Sequence, residues 1–448
     1  MAATRANPPK GGDAKPRGYR ERTPLLARLV GLPNDYSRIC AVKKHPSSQL
    51  ARSGHKFISM PALCSLVAGV MSVLACASGS DSTSPSVADA VSSKAKATAK
   101  QTTTSTTSTT STTTQATSTT TPTTKSNILY GVHSDITWYT DANYRTQAMN
   151  SATTLHAKVM RIGLLWMWIE YKKGHRDWTV MDDVMNRMAA AGIQPIITVS
   201  GSPPWAAGVT EAADEDFYLY VPTNAAKFTK WVADYADFVT AAATRYKGKA
   251  KMWEIGNEQN DAYFWRPRAN VDQYATWYVA LRTAIKQVDP TTIVALGGMN
   301  SLGYDIDANS MRGPAFLSAV YAKHINPDAV AIHPYSNRGQ SPEVHTNNAG
   351  NFDDIDLVRN VMVANGQSSA PIWLTEWGWT VDQVTPAVQA DYVTKSLNLL
   401  ETKYSSYVTV ATYYSQFDPS VPLHFGLYTH DFVLRPAGAA FRDFMANR

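Results

Sequence analysis

Lys251-Met252-Trp253-Glu254-Ile255-Gly256-Asn257-Glu258-Gln259-Asn260 is an apolar run that stops abruptly on an amide and a carboxylate. A run of this length reads as a buried strand, and one that ends this way presents Asn257 and Glu258 at its tip, where a solute can reach them. The design recurs 118 residues later in Pro371-Ile372-Trp373-Leu374-Thr375-Glu376-Trp377-Gly378-Trp379, with Glu376 at the tip among aromatic residues. Outward from these two stretches, apolar runs alternate with helical patterns from Asn127 onward, which is the pattern of βα units joined into a parallel sheet. Eight strands are predicted, over 128–133, 158–165, 194–200, 250–257, 293–297, 329–333, 371–376 and 409–415. Helical patterns fall between them, as at 182–191, 223–246, 271–288, 355–365 and 386–403, with a last one near 436–447. Together they predict a single α/β domain of the (β/α)8 barrel type over residues 126–448, its site at the carboxyl ends of the strands. His133, Glu258, His333, Glu376 and Gln416 fall at those ends, and Arg161 lies part-way along its strand.

Composition supports one folded domain behind a different kind of leader. All 12 Trp lie between Trp138 and Trp379. Residues 1–56 carry 12 Lys+Arg against 3 Asp+Glu, whereas residues 126–448 carry 26 against 31, so the high pI belongs to the leader and the folded part is mildly acidic. That balance gives no support to nucleic-acid binding. The 3 cysteines, Cys40, Cys64 and Cys76, all precede the domain, which is therefore expected to use neither disulfides nor a thiolate metal site.

Residues 1–56 are basic and rich in Pro and Gly and read as a disordered extension. Phe57 to Ala77 is apolar and preceded by Lys43, Lys44, Arg52 and Lys56, the charge order of an export signal or a signal anchor. Cleavage after Ala75-Cys76-Ala77, lipidation at Cys76 and an uncleaved membrane anchor all remain open, and each puts the rest of the chain outside the cytoplasm. From Ser78 to Lys125 the chain loses its large apolar residues, with 16 Thr among residues 102–124, and reads as a flexible Ser/Thr-rich linker tethering the domain to the cell envelope.

Two glutamates on the tips of separate strands, each among tryptophans, suit cleavage of a glycosidic bond in an oligo- or polysaccharide. With carboxyls roughly 5 Å apart, one attacks the anomeric carbon while the other protonates the leaving oxygen, with net retention. The acid must hold its proton near neutral pH, which a negative neighbour favours, and the nucleophile must stay ionised, which a cation such as Arg161 favours. Arg161 also has a plainer reading, as counter-ion to a buried Glu254. Asn257 is placed to bind a sugar 2-hydroxyl. His333 and Tyr335 share strand parity and, with His133, are candidates to line the site or to be ordinary core residues. Trp205, after Pro203-Pro204, and Trp377 are the best candidates for stacking on sugar, while Trp166, Trp168, Trp265 and Trp379 are equally readable as core. Glu170 reads as half of a structural salt bridge. No His, Asp or Cys cluster has metal-ligand spacing and no Gly-rich phosphate loop precedes a helix, so a hydrolase without metal or cofactor, acting as a monomer, is expected.

These residues also carry a resemblance. Arg161-Ile162-Gly163-Leu164-Leu165-Trp166, Trp168-Ile169-Glu170, Trp178, Asp182, Ala191-Gly192-Ile193 and Ser202-Pro203-Pro204-Trp205-Ala206 resemble the second and third βα units of clan A glycoside hydrolases, family 39 first and family 5 next. Asn257-Glu258 is similar to that clan's acid/base dipeptide, Glu376 to its nucleophile, and His333-Pro334-Tyr335 to its His-x-Tyr element. The resemblance, which spans residues 127–448, implies a retaining glycoside hydrolase acting on β-linked extracellular or cell-wall glycan. A wall-tethered barrel that binds glycan without turnover is the alternative; an aldolase-type barrel would want a lysine at an inner strand tip, and none is present.

Overall fold

Strand formation follows the apolar runs, and the strands close on themselves. The computed structural model describes residues 125–448 apart from 212, 215, 302–306, 337–338, 347–349 and 420–422, so the extension 1–56, the apolar stretch 57–77 and the linker up to residue 124 lie outside the described residues. Strands β1 (Leu129–Ser134), β2 (Val159–Leu165), β3 (Gln194–Ser200), β4 (Met252–Asn257), β5 (Ile293–Asn300), β6 (Ala329–His333), β7 (Ile372–Leu374) and β8 (Val408–Tyr413) form a closed parallel barrel in chain order. Each strand leads to a helix: α1 (Ala142–Thr154), α2 (Thr179–Ala191), α3 (Ala225–Arg245), α4 (Val271–Val288), α5 (Gly313–Tyr321), α6 (Asp354–Ala364), α7 (Pro386–Leu399) and α8 (Pro436–Ala446). This is the (β/α)8 barrel expected from the alternation. Helix α1 escapes the periodicity argument because it buries little apolar surface beyond Ala148, Met149 and Ala152.

Inside the barrel, side chains two residues apart on a strand share a face, so the interior is built in layers. Val159, Ile196, Met252, Ala331, Trp373 and Val410 form an apolar floor. Two residues onward along the chain stand Arg161, Thr198, Glu254, His333, Thr375 and Thr412, all buried. An apolar floor thus carries a polar layer from which water is excluded, and every donor and acceptor in it needs a protein partner.

Strand β5 departs from the expected 293–297 by running three residues further, through a register shift between Leu296 and Met299. Gly297-Gly298 reads as a strand end in sequence, but here it makes a bulge. A Cβ on Gly298 would stand 2.0 Å from His333 Nε2 and 2.7 Å from Thr375 Oγ1, so only glycine lets those side chains pack against the strand. Strand β7 is shorter than expected, ending at Leu374 and leaving Thr375 and Glu376 beyond the ladder.

The start of the barrel is clasped to its last helices. Ser126 N, Ser126 Oγ and Tyr130 OH donate to the Glu401 carboxylate at 3.1, 2.8 and 2.6 Å, and Arg448 pairs with it. Burial alone would raise the Glu401 pKa, but these donors outweigh it and hold the group at about 2. A folded-state pKa below the ordinary 4.5 adds stability that is present above 4.5 and is lost as pH falls toward 2. Glu401→Gln is therefore expected to flatten the fall of Tm with acidification between about pH 5 and pH 3; parallel Tm curves for the two proteins would mean that the clasp contributes no stability.

Candidate active site

The polar layer is organised by one cation. Arg161, on β2, donates through Nε to Glu254 Oε2 (2.6 Å), through one terminal nitrogen to Glu376 Oε1 (2.5 Å) and His133 Nδ1 (2.8 Å), and through the other to Asn257 Oδ1 (2.7 Å). Arg161 thus neutralises buried Glu254, its plainer reading, and its hydrogen bonds also reach both strand tips. Burial works against its charge, and the two glutamates beside it outweigh that effect. Glu254 accepts three further hydrogen bonds, from Thr198 Oγ1 (2.6 Å), Gly298 N (2.8 Å) and Thr375 Oγ1 (2.8 Å). Four donors thus converge on its two oxygens.

The tip glutamates sit in different surroundings. Glu376 accepts from Arg161 and, on its other oxygen, from Tyr335 OH at 2.8 Å. Glu258 is fully buried, its Oε1 lying 2.8 Å from His333 Nδ1 and its Oε2 3.4 Å from Asn300 Nδ2. Burial, then the charges of Glu376 and Asp261, push the Glu258 carboxyl well above the usual carboxylate range, against the pull of Arg161 and Asn300. The backbone at Glu258 is left-handed, φ 48°, with its N–H donating to Gly298 O at 2.8 Å. A non-glycine residue held there costs roughly 1–3 kcal/mol, a strain typical of functional sites. His333, also fully buried, is held well below its ordinary pKa by burial and then by Arg161 and His133, so it stays neutral.

His133 accepts from Arg161 at Nδ1, which leaves Nε2 to donate to Asp135 Oδ1 at 3.2 Å. The open space beside this network is a cleft lined by His133, Asp135, Arg161, Asn257, Glu376 and Tyr414 together with Trp138, Tyr218, Phe264 and Trp265. Asp135, Trp138, Tyr218, Phe264 and Tyr414 were absent from the sequence candidates. The parity of Asp135 with His133 was a usable signal for one of them, while the others reach the cleft through loop geometry that no local pattern encodes.

Two aromatic expectations are corrected. Trp377 has no exposed surface; it packs edge-on to Tyr413 at 4.9 Å and against Phe352 and Trp379, so no ring face is left for a sugar. Trp205 does not line the cleft: its indole N–H donates to Glu170 O at 3.1 Å, its ring abuts Trp166, and Lys173 lies over it. Gln416 turns away from the site and donates to Ser151 Oγ on α1 at 2.8 Å. Glu170 makes the structural salt bridge expected of it, to Arg176 at 2.9 Å. Linear spacing shows no metal cluster, yet the fold brings one ligand-type atom each of Glu258, His333 and Glu376 within 4.8 Å of one another. Atoms around a zinc ion stand about 3.3 Å apart, whereas the 2.8 Å between His333 and Glu258 is a proton-sharing distance.

A family model described as Cellulase (glycosyl hydrolase family 5) matches residues 109–415. Among solved structures the chain is similar to a family 39 glycoside hydrolase from Bacteroides cellulosilyticus, at 19% identity and TM-score 0.57 over 72% of this chain and 64% of that one. It is also similar to a monomeric β-xylosidase from Caulobacter crescentus (20%, 0.54, covering 71% and 68%). A third is a family 5 enzyme from Streptomyces cattleya in complex with GlcNAc (15%, 0.51, covering 72% and 80%). The chain spans 64% of the length of the Bacteroides enzyme, and at these identities the likeness is one of fold. No curated protein matches the sequence.

Removing Glu254 leaves Arg161 buried without its main counter-ion, a change that costs about 3–5 kcal/mol. Glu254→Ala is accordingly expected to lower the unfolding free energy in urea by that amount, and a loss below about 1 kcal/mol would mean that Arg161 is compensated by its remaining partners.

Proposed function

The chain belongs to the cellulase family, glycosyl hydrolase family 5, and on that premise we propose that it is a retaining O-glycosyl hydrolase cleaving β-linked glycan through Glu376 as nucleophile and Glu258 as acid/base. The observation that carries this reading is the meeting of one oxygen of each carboxylate with a nitrogen of His333, all within 4.8 Å of one another, which suits the short carboxyl spacing of double displacement. The environments support the division of labour. Arg161 and Tyr335 hold both oxygens of Glu376 as acceptors, so its carboxylate is aimed at an anomeric carbon above it. Burial and the charge of Glu376 push Glu258 toward its protonated form, and, turning from His333 about its side-chain torsions, it delivers that proton to the leaving oxygen. After departure of the aglycone the same carboxylate takes a proton from water, which attacks the glycosyl-enzyme. Asn257, with Oδ1 committed to Arg161, keeps its amide N–H groups for a sugar hydroxyl.

The substrate is read as extracellular or cell-wall glycan. The β-xylosidase name of the Caulobacter neighbour makes β-xylosides the first to screen, followed by β-glucosides, β-galactofuranosides and insoluble wall glycans. Export is part of the proposal, supported by the basic-then-apolar stretch 43–77 and the Thr-rich linker after it. Among the described residues no helix is long and apolar enough to cross a membrane.

Three measurements test these readings. Glu376→Gly should abolish turnover with the fold intact, and azide should restore reaction by forming a glycosyl azide of inverted configuration. Proton NMR of the first product from the unaltered enzyme should show the anomer of the substrate; the opposite anomer would remove Glu376 from the nucleophile's role, and no turnover on any glycan would favour the binding barrel. A phosphatase reporter that is active only outside the cytoplasm, fused after residue 125, should be active, and an inactive fusion would end the export reading.

A further inference from the structure

We propose that Thr375 is a positioning residue that fixes the tautomer of His333 and so keeps the resting proton on Glu258. The inference rests on the acid/base reading of Glu258 above and names what maintains it. The argument starts from the group with no freedom. Arginine only donates, so Glu254 Oε2 accepts from Arg161 Nε. Glu254 is an acceptor throughout, and the single hydroxyl hydrogen of Thr375 is spent on its Oε1 at 2.8 Å. The same threonine oxygen lies 3.1 Å from His333 Nε2. With its hydrogen used, that oxygen can only accept there, so Nε2 carries the imidazole hydrogen. A neutral imidazole protonated at Nε2 presents a bare lone pair at Nδ1, and this nitrogen stands 2.8 Å from Glu258 Oε1. Two lone pairs at that distance repel, whereas a carboxylic O–H pointing at Nδ1 makes a good hydrogen bond. Hydrogen-bond direction therefore passes without a free choice from Arg161 through Glu254, Thr375 and His333 to Glu258.

The packing around this chain is specific to it. Gly298 gives its N–H to Glu254 and has no Cβ, which would otherwise occupy the space of His333 Nε2 and Thr375 Oγ1. The charged and titratable groups facing Glu258 are Arg161 of β2, His333 of β6, Tyr335 just beyond β6, Glu376 beyond β7, Tyr414 beyond β8 and Asp261 on its own loop, with the amide of Asn300 from β5. These set how readily the carboxyl ionises. Thr375 sets something else, namely whether His333 meets the protonated or the ionised form as its hydrogen-bond partner. If the Nε2 acceptor is lost, His333 is free to carry its hydrogen on Nδ1 and donate to a Glu258 carboxylate, which stabilises the ionised form and lowers the acid's pKa.

The test replaces the hydroxyl and keeps the shape. In Thr375→Val, nitrogen NMR of ring-labelled histidine, with the His333 signals identified from His333→Gln, should show the hydrogen moved from Nε2 to Nδ1. The basic limb of the kcat/KM pH profile, which reports the free enzyme, should move down by about one pH unit because the sign of the hydrogen bond has reversed. At a pH above the shifted limb, glycosides with poor leaving groups should lose about tenfold in kcat/KM, and Thr375→Ser should restore both tautomer and profile. Should Thr375→Val fail to fold, Thr375→Ala carries the same expectations. An unchanged tautomer, or a uniform loss of rate with the limb in place, overturns the proposal. The NMR reading needs no substrate, so the two ideas fail separately. An inert protein whose tautomer switches sinks the hydrolase reading alone, and an active one whose tautomer does not switch sinks the role of Thr375 alone.

Discussion

The structure depends on a charge that water cannot reach. Arg161 stands directly above an apolar floor, and an isolated cation there would cost far more than a domain's net stability. Four acceptors from three parts of the barrel meet it: His133 from β1, Glu254 and Asn257 from β4, and Glu376 beyond β7. Because a guanidinium offers donors in a fixed fork, satisfying it fixes where those four side chains lie. The two strand tips are brought together as a consequence of neutralising a buried arginine.

That single constraint also separates two chemically identical side chains. Glu376 is a direct partner of the cation, whereas Glu258 faces a neutral imidazole and the negative charge of Glu376. A difference of a few ångströms thus gives the two glutamates unlike surroundings, and the buried Glu258 is the one pushed toward its protonated form. Backbone irregularity belongs to the same arrangement: the bulge at Gly297-Gly298 and the left-handed Glu258 let β4 and β5 exchange hydrogen bonds while the Glu258 side chain turns toward His333. A regular ladder here would put a Cβ where the imidazole belongs.

The aromatic residues follow a different logic. Trp377 and Trp205 sit beside or between elements that bear on the site, and their sequence neighbours alone point to the cleft. Packing decides otherwise, since the layer between strands and helices needs large side chains, and Trp377 fills it together with Tyr413 and Phe352. The cleft instead takes Trp138, Tyr218, Phe264 and Trp265 from loops after β1, β3 and β4.

Sequence by itself determined the eight-strand alternation, the barrel, and the placing of Glu258, Glu376 and Asn257 at strand tips, because each of these is a matter of local period or strand parity; for Arg161 it offered Glu254 as one of two readings. Only the tertiary structure decided which face a loop residue presents, that Gln416 and Trp377 turn away from the site, and that Thr375 stands between Glu254 and His333. The physical reason is distance along the chain: Arg161 and Glu376 are 215 residues apart and Glu254 and Thr375 are 121 apart. Hydrogen-bond partners at such separations are selected by what a closed barrel must satisfy in its dry interior, and that requirement exists only once the strands have met.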